Sequence, residues 1–108
     1  MAYDDDLADR VRAALAGASE KRVFGGLAFL LDRRLTVAVS RQGGLMVRVD
    51  PADSAALVAQ PDVELMVMQG RELAGWLRVA PKVLTDDDEL QVWVDRAAAY
   101  VRTLPPKP

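Results

Sequence analysis

Groups able to do covalent chemistry are scarce in this chain. Its 108 residues include no Cys and no His. That excludes a thiol nucleophile, a Cys–His pair and the usual zinc and haem ligand sets. Ser19, Ser40 and Ser54 lack a His base and stand in no nucleophile-elbow pattern. The three lysines, Lys21, Lys82 and Lys107, are scattered. Carboxylates are plentiful but come in runs, Asp4-Asp5-Asp6 and Asp86-Asp87-Asp88-Glu89. Consecutive residues fan around a helix and do not converge, and the second run does not have the spacing of a calcium loop. Phe24-Gly25-Gly26 carries the glycines of a phosphate cradle without its sequel, because an apolar run follows. Its glycines read as a bulge that avoids a packed helix. No catalytic residue, metal, cofactor or small-molecule ligand is expected.

Anionic partners are the next class to weigh. Fourteen basic against 16 acidic residues give a net charge of −2, which excludes a strongly cationic nucleic-acid module. The charge is uneven: net −3 over residues 1–20, +3 over 21–82 and −2 over 83–108. Arg33, Arg34 and Arg41 are candidate phosphate contacts if they cluster. No helical segment is basic enough to enter a groove. A few phosphate contacts alone give salt-sensitive, unspecific affinity.

The elements that must position these residues follow from periodicity. Leu7, Val11, Ala14 and Leu15 form one face of a first helix, with the acidic run at its start and Gly17 at its end. Residues 22–31 read as one buried strand, bent at Gly25 and Gly26. Two shorter strands follow, one with Leu35, Val37 and Val39 on one face and one with Leu45, Val47 and Val49. Asp50-Pro51 opens a short helix ending before Pro61. Strands at 63–68 and 73–79 flank a turn at Gly70. The last helix begins at Thr85 or Asp86 and carries the stripe Leu90, Val94, Ala97, Val101 and Leu104. The result is an α+β domain of order α-β-β-β-α-β-β-α, with a five-stranded antiparallel sheet. The acidic N-terminus and the absence of an apolar run of about 20 residues point to a cytoplasmic chain without a membrane span.

Strand parity then sorts the middle of the chain into two faces. Gly75 falls with Leu73, Leu77 and Val79, where it makes room for a helix. If the helices cover the Leu/Val set, the second face consists of Met46, Arg48, Met66, Met68, Trp76 and Arg78. Met, Trp and Arg are enriched at interfaces. The expectation is a protein partner or a second copy bound on this face, or else a helix or tail folded over it.

In chain order, Val23-Phe24-Gly25-Gly26-Leu27-Ala28-Phe29, Leu45-Met46-Val47-Arg48-Val49, Gly70-Arg71, Gly75-Trp76, Val92-Trp93-Val94 and Arg102-Thr103-Leu104-Pro105-Pro106-Lys107 resemble the N-terminal domain of the TfoX/Sxy family. The family is named for bacterial regulators of natural competence that act alongside a cyclic-AMP receptor protein. The resemblance implies a domain like the secretion chaperones, with helices on one antiparallel sheet. It implies a stand-alone N-terminal domain over residues 1–108 with an exposed Pro-rich tail at about 104–108. The named regulators carry a further C-terminal helical domain that is not in this sequence. The implied function is a non-enzymatic regulatory or adaptor role through protein–protein contact, in transcription or competence regulation. A nucleic-acid-binding regulator using the basic loops is the alternative, and an enzyme with an unrecognised site is a third.

Overall fold

The computed structural model describes residues 3–23 and 25–105. Phe24, expected in the strand bent at Gly25 and Gly26, and residues 106–108, expected in an exposed tail, lie outside them.

Helix α1 spans Asp5–Ala14 and begins where Asp4 accepts a hydrogen bond from the Leu7 N–H at 3.1 Å. Asp5 and Asp6 fill its first turn, beside the positive end of the helix dipole. It ends at Leu15, and Gly17 turns the chain at φ +83°. Strands β1 (Ser19–Val23) and β2 (Gly26–Leu31) follow as an antiparallel hairpin closed at Val23 and Gly26. The expected single bent strand is therefore two strands. Gly25 has φ +77°, a backbone that glycine adopts without steric cost. A Cβ on Gly26 would lie 2.4 Å from the Val39 carbonyl oxygen, so the close neighbour is a strand rather than a helix.

Strands β3 (Arg34–Val39), β4 (Leu45–Arg48), β5 (Val63–Met68) and β6 (Arg71–Val79) complete a sheet of six strands rather than five, in the order β1-β2-β3-β4-β6-β5. Every neighbouring pair is antiparallel. The loops Asp32-Arg33 and Gln69-Gly70 have positive φ at both residues, the signature of two-residue turns that match strand twist. Between β4 and β5 the chain makes a 3-10 turn at Pro51–Asp53 and the short helix α2, Ser54–Leu57. Asp50 starts that turn by accepting from the Ala52 N–H at 3.0 Å. A second 3-10 turn, Pro81–Thr85, leads into α3, Asp87–Thr103. Asp86 caps α3 through the Asp88 N–H at 2.8 Å.

The core lies between one face of the sheet and the helices. Leu27, Phe29, Val37, Val39, Leu45, Val47, Leu77 and Val79 form its sheet side. Leu7 and Val11 of α1, with Leu90, Trp93, Val94 and Ala97 of α3, form its helix side. Trp93, which the expected stripe of Leu90, Val94, Ala97, Val101 and Leu104 leaves out, is the largest fully buried side chain. Its Nε1–H has no acceptor among the described residues. Leaving one such donor unpaired costs about 1–3 kcal/mol. Burying an indole removes about 200 Å² of mostly apolar surface, which at about 25 cal/mol per Å² contributes about 5 kcal/mol, so the ring's burial prevails.

Polar ties fix the helices to one another and to the sheet. Arg10 of α1 donates to the Leu84 carbonyl at 2.6 Å and to Asp87 at 2.9 Å. Gln91 of α3 donates to the Ala14 carbonyl at 3.1 Å. Arg12 grips both carboxylate oxygens of Glu20 on β1, at 2.6 and 2.8 Å. These hydrogen bonds hold the Glu20 carboxyl below its ordinary pKa. No helix among the described residues is long and apolar enough to cross a membrane.

Candidate functional site

Two irregularities in the sheet decide what its second face is made of. Between β2 and β3, Phe29 pairs with Val37 but Leu30 pairs with Leu35, leaving Thr36 as an extra residue. Between β5 and β6, Leu65 pairs with Leu77 but Met66 pairs with Leu73. Three residues of β6, Ala74, Gly75 and Trp76, are thus spanned by a single step of β5. Cross-strand partners share a face while successive residues alternate. Each bulge therefore reverses parity. Leu35 and Leu73, expected with the core set, are carried to the other face.

Gly75 is the pivot of the larger bulge. Its φ is +87°. Its N–H donates to the buried Ser54 hydroxyl at 2.8 Å, and its carbonyl accepts from the Val49 N–H at 2.8 Å. A Cβ here would lie 3.0 Å from Pro51 Cγ and 3.1 Å from the Val49 carbonyl oxygen. So Gly75 does make room, for the 3-10 turn at Pro51 and the start of α2.

The second face forms an open hollow of about 620 Å³. Leu35, Ala38, Met46, Met66, Leu73 and Trp76 are among its lining residues, and Arg41, Glu64 and Arg78 bring charge to it. Met68 also lines it, at the strand end where Val67 and Met68 are exposed. Of the six residues expected on this face, Met46, Met66, Met68, Trp76 and Arg78 thus meet in one concavity. Arg48 pairs with Trp76 across the ladder. Its guanidinium lies 5.1 Å from the Trp76 ring centre and 5.8 Å from that of Tyr100 on α3. That cation–π clamp ties the sheet to the last helix. Arg78 donates to the Gln42 side chain at 2.6 Å and to the Gly43 carbonyl at 3.3 Å, so it braces the β3–β4 turn.

The candidate phosphate contacts do not form one cluster. Arg33 and Arg34 stand at the β2–β3 turn and Arg41 lies beyond the other end of β3. At about 3.3 Å per residue, their backbones are roughly 20 Å apart. Arg34 donates to the Pro105 carbonyl, tying β3 to the segment after α3. Arg41 lies across Gly25, where an added Cβ would meet its Cδ at 2.6 Å. Gly70 serves the hairpin turn between β5 and β6. Parity within short runs found Met46, Trp76 and Arg78. It missed Leu35, because Thr36 gives no sign of a bulge, and Leu73, although a mid-strand glycine is itself a bulge signal.

No curated protein and no solved structure matches the chain. The model of the TfoX N-terminal domain matches residues 9–100, from α1 almost to the end of α3, and the chain belongs to that family.

Proposed function

We propose that this domain is a non-catalytic regulatory adaptor whose concave sheet face takes a protein partner. One observation carries the reading: the hollow has an apolar centre of Met46, Met66, Leu73 and Trp76, open on the side away from the helices. Methionine adapts its shape to a partner, and Trp and Arg are the side chains most often central to binding energy. A hollow of this size would also suit a small molecule, but such a site needs a few convergent polar groups. Arg78, the half-buried cation of the lining, is committed to Gln42 and Gly43. The family supports the regulatory half of the reading, and transcription is the process in which the proposal places it. The roughly 20 Å between Arg34 and Arg41 speaks against a continuous phosphate track.

A photo-crosslinking residue at Met46 tests this in the native cell. It is expected to join the domain to a protein, while the same probe at exposed Glu89 on α3 does not. Met46→Glu is expected to weaken binding of that protein by about tenfold or more. Adducts formed from Glu89 and not Met46, or adducts to nucleic acid, would refute the proposal.

A further inference from the structure

The outer edge of β5 is the open end of the sheet that is least protected. β5 pairs only with β6 among the described residues. Its sequence, Val-Glu-Leu-Met-Val-Met, has strong strand propensity, no proline and one charge. Val67 is 59% and Met68 46% exposed, two of the three exposed large hydrophobics among the described residues. An unpaired edge of this kind is a template for another strand.

We propose that β5 of one copy pairs antiparallel with β5 of a second copy, forming a two-fold symmetric dimer with one continuous sheet. The occupant is a second copy because the edge is self-complementary. With Met66 opposite the partner's Met66, Leu65 lies opposite the partner's Val67 and Glu64 opposite the partner's Met68. Both exposed hydrophobics are then covered. Arg71 is the β6 neighbour of Met68, on the same face. Glu64 of each copy thus faces Arg71 of the partner subunit across Met68, two strand spacings or about 10 Å between backbones. A long arginine side chain closes that gap. Among the described residues neither Glu64 nor Arg71 has an ion-pair partner within its own chain. An interface related by a two-fold uses the same patch twice, so the two ion pairs come together. The hollows of the two copies meet at Met66 on the same side of the joined sheet. The dimer does not rest on the adaptor reading, whose test uses Met46 on β4, away from this edge.

Light scattering over a dilution series is expected to show twice the 11.8 kDa chain mass at high concentration, falling to one chain mass on dilution. Val67→Lys is expected to raise the dissociation constant by about tenfold or more, with the melting temperature of the monomer unchanged. Glu64→Arg and Arg71→Glu are each expected to weaken the dimer, and the double swap to restore it. The chain has no Cys, so a single Met66→Cys reports the register: oxidation is expected to link two copies, and Lys21→Cys on the opposite edge is expected not to. A wild type that stays monomeric at millimolar concentration overturns the proposal. So does a dimer indifferent to Val67→Lys, a double swap no better than either single change, or a link through Lys21→Cys instead of Met66→Cys.

Discussion

β1 and β5 form the two outer edges of one sheet and are made of opposite material. β1 reads Ser-Glu-Lys-Arg-Val, and its first four residues are exposed. Three consecutive charges on an edge keep its free backbone groups hydrated and deter pairing with another strand. β5 carries one charge and exposes Val67 and Met68. The difference extends to how each edge is anchored. The β1–β2 hairpin is pinned by a close backbone approach at Gly26 and by the Arg12–Glu20 pair. The β5–β6 hairpin is set by the bulge at Gly75, which turns Leu73 toward the hollow beside Met66. One edge is finished for water, and the other continues an apolar surface to the rim of the sheet.

The sharpest way to break this comparison is Gly75→Val. A valine would have to adopt φ near +87° with its Cβ against Pro51. Backbone strain and overpacking each cost about 1–3 kcal/mol, so a loss of about 3 kcal/mol is expected in denaturant unfolding. Hydrogen exchange should quicken in β5 and β6 and stay slow in β1 and β2. Uniform loosening would show that the two edges are not separately anchored.

Gly26→Ala is the matching test at the other edge, with a smaller change. The new methyl would meet the Val39 carbonyl at 2.4 Å, and a backbone neighbour yields less readily than a flexible side chain. A loss of about 2 kcal/mol is expected, the middle of the range for overpacking. Here exchange should quicken in β1 and β2 first. Unchanged stability would mean that the hairpin can slide on β3, and that β1 is held by its ion pair instead.

The two edges also differ in how far they could be read from the sequence. The start of α3 was legible because Asp86 announces a cap, and its side chain does accept a first-turn N–H. At α1 the acidic run reads as the first turn, whereas Asp4 stands before that turn as its cap. The strands from Arg34 onward were legible from alternation and turn residues. β1 was not, because an apolar run spanning Val23 and Leu27 hides the reversal that brings Val23 opposite Gly26. On the second face, parity located Met46, Trp76 and Arg78 wherever a run keeps its register. It failed at Leu35 and Leu73, on the far side of bulges, since an odd number of inserted residues, one at Thr36 and three at Ala74–Trp76, inverts every later assignment. The clamp of Arg48 by Trp76 and Tyr100 joins residues far apart in sequence, and no local pattern encodes it.

The smallest expected effect lies in the charge that finishes the β1 edge. Arg12 lowers the Glu20 carboxyl pKa from its ordinary value near 4.5 by hydrogen bonding to the carboxylate. A folded-state pKa below the unfolded one stabilises the fold above the ordinary value, and that stabilisation is lost as pH falls through the folded one. The pair is largely solvated, with 48% and 31% of its side chains exposed, so solvent screens much of it. Glu20→Gln should therefore lower the unfolding midpoint slightly near neutral pH, and the gap from wild type should close in acid. A gap that stays the same as pH falls would mean that Glu20 acts through packing and not through its charge. The variant should also remain as monomeric through β1 as the wild type, because Lys21 and Arg22 still guard that edge; new pairing there would show that the carboxylate alone had kept it closed.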